Sequence, residues 1–311
     1  MALFMTLLYF SLPWIAERVV ADPTFAKYAG KDAQAIAYII QKGFVFPFGK
    51  WLNLVYRGIV VFPYWLLIFG FIRWNFVRFK RVWEIAALTF FTMFFLLFLF
   101  PNTLMIFEND KPSISSGSVS NGRIQNAKRM NYRGNNFSTY SFGGYLLGRT
   151  FVHSRVKKTI LETYEQCEKI CPDVNFVLGE TGRQHGGRFL PHRTHRNGLS
   201  VDFMTPLLKN GKPHNSNHLF NLWGYSLEFD NEGKKGNVEI DYETMAKHIF
   251  TLEKIARKNG LRIQKVIFDP ILRPYLLATP TGKKLKHLPF TKNRVYVRHD
   301  DHYHIDFEVV K

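Results

Sequence analysis

Apolar residues are concentrated in the first third of the chain, where three segments contain no charged residue. They run from Met1 to Ala16, from Gly58 to Ile72 and from Ile85 to Phe107. A helix needs about 20 apolar residues to cross the hydrocarbon core of a bilayer, so the third segment is long enough. The first segment is short and contains Pro13, which leaves a spanning helix, an interfacial helix or an uncleaved signal-like segment as alternatives. The pattern predicts a membrane region over residues 1–107 with two or three transmembrane helices.

The orientation of this membrane region is indicated by the loop between the second and third segments, Arg73 to Arg81. This loop carries Arg and Lys residues and no acidic residue. Loops of this kind are retained on the cytoplasmic side of a membrane. The chain after Phe107 is therefore predicted to lie on the opposite side, in a periplasmic or other extracytoplasmic compartment.

Residues 108–150 change in composition and are rich in Ser, Gly and Asn, as in Pro112–Gly122 and Arg133–Ser138. Such composition is typical of flexible connecting segments. We expect this stretch to be a linker that holds the following domain away from the membrane.

From residue 151 onward, apolar residues recur with two different periods. Helical spacing occurs from Val156 to Cys171 and from Met245 to Ala256. Alternation typical of strands occurs around residues 174–178, 199–203, 266–268 and 296–309. The two periods predict an α+β domain over residues 151–311, with a sheet backed by few helices.

The formal net charge of +18 bears on the partners of the protein. It suits an anionic polymer, an anionic lipid surface or nucleic acid. No zinc-finger spacing, basic heptad helix or aromatic RNA-binding motif occurs in the sequence, so we expect no nucleic-acid partner. The only cysteines, Cys167 and Cys171, are interpreted as small buried residues, with a local disulfide as the alternative.

The histidines form two dense clusters, each with aspartates nearby. The first cluster contains His185, His192 and His195, followed by Asp202 on a predicted strand. Leu199, Val201 and Phe203 take one face of that strand, so Asp202 must take the other. A turn followed by a strand can bring His195 and Asp202 to one point.

The second cluster contains His299, His302 and His304. His302 and His304 are two residues apart, so on a strand both side chains point to the same face. Ile305, Phe307 and Val309 take the opposite face, which we expect to be the core. Paired imidazoles on one strand face suit one metal ligand and one neighbouring catalytic group.

Together the clusters supply the donors of a catalytic zinc site. His195, Asp202 and His304 offer two imidazole nitrogens and one carboxylate, and catalytic zinc uses three protein ligands plus water. His302 is well placed to be the general acid or base, and His299 could assist it. Aspartates next to these histidines are candidates to accept hydrogen bonds from their rings. They are Asp300, Asp301 and Asp306.

These motifs resemble a known family. A His-x2-His-x6-Asp motif at residues 192–202, followed by a His-x-His motif at 302–304, resembles the LAS-type zinc peptidases. The closer resemblance is to the penicillin-insensitive murein endopeptidases, and it covers residues 150–311. It implies an antiparallel sheet with few helices and Zn²⁺ held by His195, Asp202 and His304. It further implies that His302 is the catalytic base and that His299 lies in the active site.

The resemblance also implies that His192 lies next to the metal centre and contacts a second metal ion. The implied reaction is hydrolysis of D-alanyl–meso-diaminopimelyl cross-links in peptidoglycan by metal-activated water. The segment from Thr205 to Asp241 matches no part of the family pattern, and we expect it to be loop-like and to wall the substrate cleft.

Three functions therefore remain open at this point. The leading one is a membrane-anchored zinc endopeptidase that acts on peptidoglycan. A zinc D-Ala-D-Ala carboxypeptidase would use the same ligands with a different cleft. A non-catalytic, membrane-tethered cell-wall binding module would be free to lose His302, which this sequence retains.

Overall fold

The computed structural model describes residues 80–310, apart from 216–224, 226 and 294–296, together with residues 70, 73, 74 and 77. These residues belong to two compact units, Met1–Pro101 and Asn102–Lys311. The first predicted membrane segment, nearly all of the second and half of the basic loop lie outside the described residues.

The third apolar segment forms a helix, α1, at Lys80–Leu99. An 18-residue window of this 20-residue helix has a mean hydropathy of 2.1, and none of that window is buried in the protein, so by length and composition the helix could cross a membrane. The helix ends earlier than Phe107 because Pro101 follows it, and a proline cannot continue an α-helix without losing a hydrogen bond. A 3-10 helix, Pro101–Phe107, comes next.

The stretch predicted to be a linker is folded in the structure, contrary to our expectation. Its strands are β1 (Ile114–Ser118), β2 (Asn121–Gln125), β3 (Lys128–Arg129), β4 (Phe137–Thr139) and β5 (Phe151–Val152), with helix α2 at Phe142–Leu146. β1 and β2 form an antiparallel hairpin, and β3 pairs with β5. The Ser, Gly and Asn residues form turns and edge strands, while the apolar residues that anchor them are too widely spaced to show a period.

The central sheet has five strands in the order β12–β13–β7–β6–β4. Its further strands are β6 (Phe176–Leu178), β7 (Ser200–Met204), β12 (Leu261–Ile267) and β13 (His302–Val309). All neighbours are antiparallel except β4 and β6, which run parallel. The sheet is therefore mixed, with an antiparallel centre. Its parallel edge strand, β4, comes from the stretch predicted to be a linker.

The segment from Thr205 to Asp241 contains all four strands of a second, smaller sheet instead of only a loop. Its order is β10–β11–β8–β9, with β8 at Leu207–Lys209, β9 at Lys212–His214, β10 at Lys234–Lys235 and β11 at Val238–Ile240. Strands of two or three residues are too short to give a detectable alternation, which is why the sequence did not predict them.

Two long helices, α3 (Ser154–Ile170) and α4 (Tyr242–Lys258), contribute the helical part of the core. Both confirm the predicted helical spacing, and both bury their apolar residues together with those of the central sheet. Cys167 and Cys171 are buried free thiols, as the preferred interpretation of the cysteines predicted. A short helix, α5 (Arg273–Ala278), and a 3-10 helix (Gly282–Leu285) complete the described helices.

The two central strands, β7 and β13, present one apolar face and one polar face. Val201 and Phe203 of β7 and Ile305 of β13 lie in the hydrophobic core, as predicted. Successive side chains on a strand alternate, so Asp202 and His304 are directed to the other face. The register places these two residues directly opposite each other, so the fold itself brings the two sequence clusters together.

Candidate metal centre

Asp202 is the centre of the predicted site, and both neighbouring histidines contact its carboxylate. The Nδ1 atom of His304 lies 2.7 Å from Asp202 Oδ1, and the Nε2 atom of His195 lies 3.3 Å from the same oxygen. The rings of His195 and His304 are 4.8 Å apart between centroids. All three residues are buried, so the structure brings together the donors that the sequence selected across about a hundred residues.

His195 is oriented by the backbone rather than by another side chain. It adopts a left-handed conformation, with φ of 65°, in the turn before β7. Its Nδ1–H donates to the carbonyl oxygen of Thr181 over 2.9 Å. The opposite atom, Nε2, is buried and makes no hydrogen bond within the part of the chain that the structure describes. Because Nδ1 carries the proton, Nε2 of the neutral ring has a lone pair that faces the Asp202 carboxylate. A metal-bound imidazole has the same arrangement: one nitrogen binds the metal, and the other usually donates its N–H to a carbonyl or carboxylate.

His304 has the same type of support on its far side. Its Nε2 atom donates to Asp306 Oδ1 over 2.7 Å, and Ser200 Oγ donates to that same oxygen over 2.6 Å. Of the three aspartates predicted as supporting residues, Asp306 thus contacts a predicted ligand ring. Asp301 instead accepts from His302, and Asp300 accepts from the backbone of Phe229.

The electrostatics of the cluster follow from its burial. Burial alone would raise the pKa of Asp202, but the adjacent His195 and His304 hold it well below its usual range. Burial lowers the pKa of His195, and Asp202 only partly offsets that effect. Burial also acts to lower the pKa of His304, but Asp306 and Asp202 outweigh it and raise the pKa to about 10.

His192 lies at the edge of the same cluster. Its Nδ1 atom is 3.8 Å from Asp202 Oδ2, and its ring centroid is 4.7 Å from that of His195. His192, His195 and Asp202 offer donor atoms that all lie within 4.8 Å of one another, an arrangement able to hold a metal ion. The far nitrogen of His192, Nε2, donates to Glu180 over 2.5 Å.

The histidines predicted to be catalytic lie beside the cluster. His302 is buried on the same face of β13 as His304, and its Nδ1–H donates to Asp301 over 2.6 Å. The ring of His299 is 4.5 Å from that of His302, and its Nδ1–H donates to the carbonyl oxygen of Val297. Burial and the neighbouring His302 hold the pKa of His299 well below its usual range.

Two residues of this site were not selected from the sequence. Tyr225 donates from its hydroxyl to Asp202 Oδ2 over 3.0 Å, and its ring stands 4.7 Å from that of His302. It belongs to the segment that matched no pattern, so no signal could have found it. Glu180 follows β6 after a single glycine. The sequence signal for Glu180 is an acidic residue that closely follows an apolar strand.

The residues present fit a divalent metal ion. Two imidazole nitrogens and one carboxylate, each with a hydrogen-bonded far side, suit a transition metal such as zinc. The fold and this cluster together define the class, an α+β domain with a candidate metal centre on the polar face of its central sheet.

Comparison of the whole sequence with known protein families gives a more specific classification. A sequence model of the penicillin-insensitive murein endopeptidases matches residues 115–310, so the chain belongs to that family. The family consists of metallopeptidases, and membership implies a hydrolase that acts on murein. The match begins well before residue 150, where our resemblance began, in agreement with the folded strands found there. No curated protein matches the chain.

Proposed function

We propose that this protein is a membrane-anchored zinc endopeptidase that hydrolyses the peptide cross-links of peptidoglycan. The observation that supports it most is the convergence of His195 and His304 on one carboxylate oxygen of Asp202. Membership of a murein endopeptidase family supplies the substrate class.

We assign the metal to His195, Asp202 and His304, with His192 beside them. Zinc bound there would polarise the scissile carbonyl and lower the pKa of water toward about 7. The hydrogen bonds to Thr181 and Asp306 fix the two imidazole rings of this set, so the protein needs little rearrangement to bind the ion.

We assign proton transfer to His302. Its Nδ1–H is held by Asp301, so its Nε2 atom is the one available to take a proton from water and deliver it to the leaving amine. The products are then a free carboxylate and a free amine. His299 stands against the His302 ring and helps to orient it.

We place the peptidase domain outside the cytoplasm and α1 in the membrane. The substrate lies in the cell wall, and α1 has the length and composition of a spanning helix. The basic residues that precede it favour a cytoplasmic start for that helix. A reporter enzyme active only in the periplasm, fused after Phe107, tests this orientation, and lack of reporter activity would contradict it.

The test of the enzyme proposal uses the full chain purified in detergent. Bound zinc is measured by mass spectrometry, and the protein is incubated with purified cross-linked muropeptide dimers. We expect conversion of dimers to monomers, and loss of that activity after chelation with recovery on adding zinc. His304→Ala should lose both zinc and activity, whereas His302→Ala should keep zinc and lose activity.

His185→Ala is the matched control, because His185 lies on the same loop as His192 but is exposed and is not part of the group formed by His195, Asp202 and His304. It should retain both zinc and activity. Bound zinc with release only of terminal D-Ala would favour the carboxypeptidase instead. Binding of peptidoglycan without hydrolysis of any muropeptide would favour the tethered binding module.

A further inference from the structure

A buried carboxylate, Glu180, lies next to the candidate metal ligands and has no role in the proposed hydrolysis. Only 2% of its surface is exposed. Its two oxygens accept hydrogen bonds from Tyr140, Arg149 and His192, and its backbone N–H donates to the hydroxyl of Tyr225. A carboxylate this deeply buried is kept only where its charge is paired.

The pairing partner of Glu180 is Arg149, which is itself 5% exposed. The guanidinium contacts both carboxylate oxygens, through Nε to Oε1 and through Nη2 to Oε2. It also donates to the carbonyl oxygen of Leu190 and lies 4.1 Å above the ring of Phe189. A planar, bidentate pair fixes the carboxylate in orientation as well as in place.

The fixed carboxylate determines which nitrogen of His192 carries a proton. Glu180 has no proton to give, because the guanidinium of Arg149 contacts both of its oxygens and keeps the side chain a carboxylate. The Nε2 atom of His192, 2.5 Å from Glu180 Oε2, must therefore be the donor. In the neutral ring this leaves a lone pair on Nδ1, the atom that faces Asp202.

We propose that Glu180 is a positioning residue for His192. Arg149 holds the carboxylate of Glu180 in place, and the carboxylate orients His192 so that its Nδ1 lone pair points toward the candidate metal ligands and can bind the metal. The inference rests on the proposed function, because it takes the cluster to be a zinc site. It assigns a purpose to a buried ion pair that would otherwise only cost desolvation.

The substitution Glu180→Gln is the sharpest probe of this role. Glutamine keeps the size of the side chain but has one acceptor oxygen, so it cannot accept from both Arg149 and His192 as the carboxylate does. If the amide oxygen stays with Arg149, the amide N–H₂ faces His192 and favours the opposite tautomer. The lone pair is then removed from the metal-facing atom.

The experiment measures zinc affinity, not hydrolysis, by competition with a chromogenic chelator on the full chain in detergent. Four proteins form a cycle: the wild type, Glu180→Gln, His192→Ala and the double variant. Partners that orient metal ligands typically contribute 10–100-fold to affinity, so we expect Glu180→Gln to raise the zinc Kd by that factor. The double variant should bind zinc no more weakly than His192→Ala alone.

Tyr140→Phe is the matched control, because it removes one hydrogen bond to Glu180 and leaves the contacts with Arg149 and His192 intact. It should keep the wild-type Kd within about threefold. If circular dichroism shows that Glu180→Gln does not fold, Arg149→Lys replaces it, with the same expected rise in Kd, because lysine cannot form the bidentate contact.

Two results would overturn the inference. One is a Glu180→Gln protein that is folded and binds zinc as the wild type does. The other is a double variant whose loss is the sum of the two single losses, since independent effects add. A wild-type protein that binds no zinc overturns the proposed function as well, so the two failures can be told apart.

Discussion

A buried histidine beneath the site, His248 of α4, should make the stability of the domain depend on pH. Its side chain is fully buried among aromatic rings, with centroids 4.9 Å away for Phe203 and 5.2 Å away for Phe176. Burial lowers its pKa to about 3, because a charged imidazole would lose its hydration there. The unfolded chain has the ordinary value of about 6.5, so it binds more protons than the folded protein in mildly acidic solution.

The sign and size of the effect follow from this difference. The free energy of unfolding has its full value above about pH 6.5 and falls as the pH drops toward about 3, since proton binding then favours the unfolded chain. Between pH 7 and pH 5 the folded imidazole stays neutral while the unfolded one becomes charged. The free energy of unfolding should fall by about 2 kcal/mol from this residue alone.

The measurement is hydrogen exchange of the slowest amides of β13 in the full chain, at pH 7 and pH 5, corrected for intrinsic exchange rates. These amides report global unfolding. His248→Gln cannot titrate, so its stability should change between the two pH values by about 2 kcal/mol less than that of the wild type. Subtracting the two proteins cancels the contributions of the other histidines.

Tyr303→Phe is the matched control for this prediction. The hydroxyl of Tyr303 lies 2.7 Å from His248 Nδ1, so the variant loses the same hydrogen bond and keeps the imidazole. It should be less stable at both pH values and retain the wild-type pH dependence. Equal pH dependence in the wild type and His248→Gln would refute the reasoning, because burial would then not be keeping the imidazole neutral.

Two further predictions concern the polar face of the sheet. Gly179→Ala would place a Cβ atom 2.8 Å from both the Cβ and the carbonyl oxygen of Asp202, so β6 and β7 must separate. We expect a loss of about 1–3 kcal/mol in the same exchange measurement and weaker zinc binding, and an unchanged protein would contradict the packing. Asp306→Asn should raise the zinc Kd by about 10–100-fold, because an amide supports the His304 ring less well than a carboxylate. Chelator competition measures this, and a wild-type Kd would show that Asp306 does not support the ligand.

The parts of the site that could be predicted from sequence are those with a short-range pattern. The alternation around Asp202 and around His304 assigned each residue to the polar face of its strand, and the structure confirms both assignments. The sequence likewise predicted α3 and α4 from the helical spacing of their apolar residues. In each case the signal is carried within a few residues and depends only on the period of the element.

The parts that could not be predicted depend on contacts between distant residues. Arg149 and Glu180 are 31 residues apart and belong to stretches with no shared period, so nothing local pairs them. Arg149 also fell inside the stretch read as a linker, where low hydrophobicity outweighed a few widely spaced buried residues. The strand order β7–β6–β4 could not be predicted for the same reason, since a three-residue strand gains its stability only from its neighbours in the sheet.

The two halves of the candidate metal centre differ in how firmly they are held. Asp202 and His304 stand opposite each other on adjacent strands whose other face is packed core, so their separation is fixed by the sheet. His195 lies on a loop in a left-handed conformation that is unfavourable for a residue with a side chain, and its ring is oriented by a hydrogen bond to Thr181. Changes in the core should therefore reduce stability before they reduce zinc affinity. Changes in the loop should reduce zinc affinity first, because they release the unfavourable backbone conformation of His195, and part of the binding energy must then restore it.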